Sequence, residues 1–212
     1  MTPTVRLGEG PGAVVTAEPT IERLETLLRE SGRSVRLIRA RELHGAAADR
    51  PLPVLTLATP DDPAWRLETL GARLAPLLCF LHGPSCLVCE GWAHQLDAHA
   101  AELAELDARA VYVLPARLEA AATWRDALRP GAVVVSDPAS AWRAAVAGRL
   151  DAGPAGVLLV VADRYRGPRA WLADDDAGGL VGSDELLAWA RLLLAECPEC
   201  GGEVAWPEPA EP

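Results

Sequence analysis

Lysine and asparagine are absent from the 212 residues, so all 20 basic side chains are arginine. Without lysine there is no amine for Schiff-base chemistry and no lysine-containing phosphate loop. The bias reads as the mark of GC-rich codons and not as a binding device. Long apolar runs are lacking too: none approaches the roughly 18 residues of a membrane span. The opening "MTPTVRLGEGPG" has no basic-then-apolar signal pattern. A cytoplasmic protein with no membrane partner is therefore expected. Clustered positive charge is missing as well. With 30 acidic residues and a formal net charge of -10, the chain lacks what nucleic acid or an anionic membrane surface requires of a partner. Its acidity speaks mainly of solubility.

What is present is enough for one globular domain with a real core, the chain being 50% hydrophobic. Beyond residue 50, strand and helix signals alternate, the pattern of an α/β domain with a largely parallel sheet. "PVLTL" and "APLLCFL" are short apolar runs bounded by proline or charge and read as strands. After Cys86 the spacing turns helical, with Trp92, Leu96, Ala100, Leu103 and Leu106 on one face, and a helix over 86–107 is predicted. "AVYVL", a helix over 118–128, and "AVVVS" follow. Asp137 with Pro138 behind it predicts an N-cap and a helix running to Ala147. "GVLLVVA" and "PRAWLA" flank "DRYRG" as an antiparallel hairpin. Ser183, Asp184 and Glu185 open a last helix to about Glu196.

Residues 1–50 form a separate β-α-β-like extension: "AVVTA", a helix from about Thr20 to Glu30, and "VRLI", followed by the linker-like "HGAAADRPLP". Residues 51–196 make the main domain, and 197–212 a tail.

Five cysteines in a cytoplasmic chain point toward metal or redox work rather than a disulfide framework. Cys79 lies inside an apolar run; the others form "CLVC" (Cys86, Cys89) and "CPEC" (Cys197, Cys200). The first pair sits at a strand-to-helix junction. There the unpaired N–H groups and the positive dipole end of the helix stabilise a thiolate on Cys86, while Cys89, one turn on, lies close enough to attack a mixed disulfide. Packing alone is the plainer account of a cysteine flanked by apolar residues, but spacing and location favour redox use. His94 and His99 extend the pair toward a zinc-knuckle spacing. On one helix, however, they point about 140° apart and cannot share an ion. His82, on the loop before the pair, is at most a modulator of the thiolate. Asp174 to Asp176 read as a solvated acidic loop, since they lack the alternating ligand spacing of a calcium loop.

From about Pro53 to Ala195 the chain resembles the thioredoxin-fold redoxins, the group holding the alkyl hydroperoxide reductase-like peroxiredoxins and the CxxC thiol-disulfide oxidoreductases. "LLCFLHGPSCLVCEGW" matches the first core strand and active-site helix, "ARAVYVLPARLEAAATWRDAL" the next strand and helix, "VVVSDPASAWRAAVAG" the strand-Asp-Pro-helix segment, and "GVLLVVADRYRGPRAW" the closing hairpin. The resemblance implies a thioredoxin-like α/β fold with a central mixed sheet flanked by helices, and a redox-active disulfide in which Cys86 attacks and Cys89 resolves. It implies no organic cofactor. The implied partners are a protein or small-molecule disulfide, or a peroxide in an antioxidant role, with a dithiol donor such as a thioredoxin system.

The peroxiredoxin signature P-x-x-x-[ST]-x-x-C is not met. Counting back from Cys86 puts Gly83 and Cys79 at its Ser/Thr and Pro positions, and counting back from Cys89 puts Cys86 and His82 there. The family's proline before the hairpin strand would be Pro154, about three residues early, unless that place falls to Ala155 or Gly156. Disulfide exchange is thus the expected activity, with a thiol peroxidase as the alternative and a non-catalytic module holding zinc on its cysteines as the alternative of another class. "CPEC" followed by glycine is half of a zinc ribbon, and Cys197 and Cys200 supply only two ligands. An inert or weakly metal-binding tail is expected first, a zinc or disulfide site completed by a second copy of the chain in a homodimer second, and a relay of electrons to Cys86 and Cys89 within one chain third. The last helix should run away from the active-site end, which sets the tail at the opposite pole.

Overall fold

Six consecutive residues of Ala75–Phe80 are buried, which demands that both faces of the sheet be covered at this strand. In the computed structural model, which describes residues 5–6, 14–15, 35–37, 51–71, 73–153 and 155–195, that demand is met by helices above and below. The strands are β1 (Val5–Arg6), β2 (Val14–Val15), β3 (Val35–Leu37), β4 (Ala75–Phe80), β5 (Ala108–Leu114), β6 (Val133–Ser136), β7 (Val157–Ala162) and β8 (Pro168–Asp174). The main sheet has six of them in the order β3-β8-β7-β4-β5-β6. β4, β5 and β6 run parallel, while β7 is antiparallel to β4 and β8 to β7. Among the described residues β1 and β2 form a separate two-stranded antiparallel sheet.

The helices are α1 (Leu87–Ala98), α2 (Ala100–Glu105), α3 (Leu118–Asp126), α4 (Ala141–Leu150) and α5 (Ser183–Ala195). Their placement follows from handedness. Right-handed crossovers that step from β4 to β5 to β6 put α1, α2 and α3 on one face, and the return from β6 to β7 must cross the other. The core divides accordingly. On one face Leu77, Cys79, Tyr112 and Leu159 meet Cys89, Trp92, Leu96, Trp124 and Trp189. On the other, Leu78, Phe80, Val113 and Val160 meet Trp142, Val146 and Leu150 of α4, joined by Leu52, Trp65 and Leu67 from the segment before β4.

Three elements differ from the sequence reading. "PVLTL" forms no ladder among the described residues; Leu57 makes an isolated bridge to Trp65, and Ala58 beyond it one to Ser136. Its one proline, Pro53, has no N–H to give a strand partner. The helix predicted over 86–107 breaks at His99, whose φ and ψ of -94° and 13° end α1 and start α2. The helix after Asp137 begins three residues later than an N-cap there would set it. Asp137 nonetheless serves its start: Oδ1 accepts from the N–H of Ala141 at 2.9 Å, and Oδ2 from those of Trp142 and Arg143 at 3.0 and 3.2 Å.

The hairpin is as read. Asp163 Oδ1 accepts from the N–H groups of Tyr165 and Gly167, both at 2.9 Å, and closes the "DRYRG" turn. In the N-terminal extension "AVVTA" supplies β2 and "VRLI" supplies β3, which adds to the main sheet beside β8. The helix expected between them lies outside the described residues.

Candidate active site

β4 ends at Phe80, and the chain must turn sharply before α1. Gly83, at a φ of 144°, provides the turn in a conformation that side chains with a Cβ avoid. Its carbonyl accepts the N–H of Cys86 at 3.2 Å. Cys86 is therefore the N-cap of α1, with an extended φ and ψ of -85° and 100°. Its sulfur takes the place that a serine or aspartate oxygen usually fills, accepting the N–H of Cys89 at 3.4 Å. Cys86 is half-buried and Cys89 fully buried one turn behind it, both as free thiols.

His82 completes the group. Its Nδ1 lies 3.9 Å from the sulfur of Cys86 and 3.7 Å from that of Cys89. Its other nitrogen, Nε2, is 3.0 Å from the main-chain carbonyl of Asp175 in the loop after β8. A carbonyl oxygen only accepts, so Nε2 carries a proton, and Nδ1 faces the two sulfurs as a lone pair while the ring is neutral and as an N–H donor to a thiolate once it has taken a thiol proton. Gly156 makes this possible: a Cβ there would stand 2.1 Å from the Asp175 oxygen and 2.3 Å from Nε2.

The two thiols are held at different acidities. At Cys86, partial burial raises the pKa, but hydrogen bonds from the Cys89 thiol and N–H together with His82 outweigh it, and the thiol falls below its ordinary value. At Cys89 burial, reinforced by Cys86, pushes the thiol up to about 11. Arg143, half-buried on α4, draws the other way on Cys89, and its Nη2 donates to the carbonyl of Ala155. Burial lowers the pKa of the guanidinium itself, against the pull of Asp137 and Cys89. Cys79 is buried in β4, which raises its thiol far above the range of reactive cysteines.

The structure thus brings Cys86, Cys89 and His82 together, and among the described residues this is the one group of three or more potential metal-ligating side chains. His94 is exposed on α1. His99 pairs with Glu102 at 2.8 Å and Asp184 at 3.4 Å. Cys197, Cys200 and Pro154 lie outside the described residues. Sequence reasoning gave His82 a minor place and missed Arg143, the Asp175 carbonyl and the role of Gly156. Arg143 had a signal, since the first turn of a helix that follows a core strand opens at the same end of the sheet as the CxxC loop. The carbonyl had none, because it depends on how the loop after β8 folds back.

No family model matches the chain, and no curated protein matches it. Solved structures do. The peroxidoxin BcpB of Mycobacterium tuberculosis superposes with a TM-score of 0.55 at 19% identity, over 67% of this chain and 94% of that one. A secreted disulfide oxidoreductase of M. tuberculosis, homologous to E. coli DsbE, gives 0.51 at 18% identity, over 66% and 96%. Peroxiredoxin Q of Xanthomonas campestris gives 0.54 at 13%, over 76% and 98%. With the sheet order and the loop that leads into α1, these likenesses establish the thioredoxin-like fold.

Proposed function

We propose that the protein is a thiol-disulfide oxidoreductase working through Cys86 and Cys89. The observation that carries this reading is the half-exposed sulfur of Cys86 at the N-cap of α1, with buried Cys89 one turn behind. The Cys86 thiolate attacks a substrate disulfide R–S–S–R′, forming Cys86–S–S–R and releasing R′–S⁻. Cys89 then gives its proton to the unprotonated Nδ1 of His82, and its sulfur attacks that of Cys86. A Cys86–Cys89 disulfide forms, R–S⁻ leaves, and the substrate has gained two electrons. A dithiol donor reverses the sequence on the enzyme. Leu87 and Val88, 79% and 57% exposed between the two cysteines, give an apolar edge that suits a protein disulfide. We place the activity in the cytoplasm, where thiol systems restore such pairs.

Peroxide reduction is the second reading, supported by the peroxiredoxins among the structural neighbours. The Cys86 thiolate would attack the distal oxygen of ROOH, breaking the O–O bond and releasing RO⁻, which takes a proton from solvent, to leave a sulfenic acid; Cys89 would then condense with it, forming the disulfide and releasing water. It ranks lower because Gly83 and Cys79 stand where that chemistry uses a hydroxyl and a proline.

Insulin reduction and peroxide consumption, each with a dithiol donor, separate the two. Turnover of insulin and its loss in Cys86→Ser are expected. In Cys89→Ser a stable adduct should accumulate on Cys86, visible by mass spectrometry. An adduct mainly on Cys89 of the Cys86→Ser protein reverses the roles, and peroxide turnover without insulin turnover favours the second reading.

A further inference from the structure

An imidazole lone pair aimed at two sulfurs is more than a proton acceptor. A tetrahedral zinc site, with bonds of about 2.3 Å to sulfur and about 2.0 Å to nitrogen, separates its ligand atoms by about 3.5 to 3.8 Å. His82 Nδ1 lies 3.9 and 3.7 Å from the two sulfurs, and all three atoms lie within 4.8 Å of one another. A contraction of a few tenths of an ångström between nitrogen and sulfur, and of at most about 1 Å between the sulfurs, closes them on one ion. The ring does not need to turn. Its Nε2–H is already committed to the Asp175 carbonyl at 3.0 Å, which is the outer-shell bond that orients a metal-ligating histidine and fixes its tautomer. Gly156 keeps the ring and that carbonyl in register, since any Cβ there would enter the space between them.

We propose that the reduced protein holds one Zn²⁺ between Nδ1 of His82 and the sulfurs of Cys86 and Cys89, with the fourth position open. The open side is the exposed one, because His82 is exposed and Cys86 only half-buried, while Cys89 closes the buried side. Binding replaces the thiol protons, two being released as both sulfurs become thiolates, so affinity rises with pH. The ion and the Cys86–Cys89 disulfide use the same lone pairs and exclude each other. Zinc occupancy therefore reports the reduced state and shields both sulfurs from oxidants. The inference requires only that the pair be reduced, and does not depend on its turnover.

The test uses the full chain carrying Cys197→Ser and Cys200→Ser, so that the tail pair cannot contribute ligands. The reduced protein is titrated with Zn²⁺ against a chromophoric chelator, and with Co²⁺ by absorption. One equivalent should bind, Co²⁺ should show thiolate charge-transfer and tetrahedral d–d bands, and the disulfide form should bind none. Cys86→Ser should abolish binding while keeping the fold, because serine is itself a good N-cap. His82→Ala should weaken it at least 10-fold, and Gly156→Ala about 10- to 100-fold through the lost orienting bond. Absence of stoichiometric binding overturns the proposal, and so does His82→Ala binding as tightly as its parent. Insulin turnover by a protein that binds no zinc removes this inference and leaves the oxidoreductase standing. Zinc binding without turnover does the reverse.

Discussion

At Cys86 two influences of opposite sign meet on one sulfur. Partial burial favours the neutral thiol, while the Cys89 thiol and N–H and the nearby His82 favour the thiolate, and the second group wins. Because the attacking species is the deprotonated one, a lowered pKa carries reactivity to lower pH. In the reduced, metal-free protein, the rate of Cys86 alkylation should rise with pH through a midpoint below the ordinary cysteine value of about 8.5 and then level off. His82→Ala should move that midpoint upward, since one of the groups that lowers it is gone. Cys89, pushed up to about 11 by burial, and Cys79, buried in β4, should stay unlabelled in the same experiment until the protein unfolds. A Cys86 midpoint at or above 8.5 would mean that burial prevails. Peptide mapping of the alkylated protein reads all three sites at once.

At the scale of elements, α4 depends on one carboxylate. Ser140 at its N-cap has a left-handed φ of 52° and caps nothing with its hydroxyl. The three N–H groups of Ala141, Trp142 and Arg143 are taken instead by Asp137. Asp137→Ala should therefore cost about 2 kcal/mol, at the upper end of the range for a lost cap, because more than one donor is orphaned. Chemical denaturation gives the loss, and Asp137→Asn should restore part of it through its remaining oxygen. Less than 0.5 kcal/mol lost in Asp137→Ala would show that water replaces the carboxylate.

The same element shows what the sequence disclosed and what it withheld. Asp137 followed by Pro138 was legible as a helix start, since an acceptor side chain before a helix is a local signal. That Asp137 reaches over a turn to cap from a distance was not, because the reach is set by the tertiary path from β6 to α4. In the same way the apolar runs of β4 to β8 and the helical spacing after Cys86 were legible. The break at His99 was not, and one of the partners that His99 meets there, Asp184 of α5, is distant in sequence. At the site the CxxC pair could be read from spacing alone. The aim of His82 could not, since a carbonyl 93 positions away fixes it.

Across the whole molecule, the direction of α5 decides what the tail can do. β8 runs parallel to β4, so α5 leaves the sheet at the end that bears Cys86. Its course is marked by three contacts in step with α1 and α2: the Val181 carbonyl accepts from Trp92 Nε1 at 2.6 Å, Asp184 meets His99 at 3.4 Å, and Arg191 pairs with Glu102. The two helices thus descend together, and α5 travels about 18 Å at 1.5 Å per residue before it ends at Ala195. Cys197 is two residues further on, a reach of at most about 7 Å, and Cys200 five residues, at most about 18 Å if fully extended straight back. Direct exchange with Cys86 would need the tail to turn back along nearly the whole length of α5. Cys197→Ser with Cys200→Ser should therefore keep insulin turnover within about threefold of the parent, a barrier change of under about 0.7 kcal/mol. The disulfide map of the air-oxidised parent should likewise show Cys86 joined to Cys89 and not to the tail. Loss of turnover to the level of Cys86→Ser, in dilute protein where chains do not meet, would require the tail to turn back along α5 and hand electrons to the pair directly.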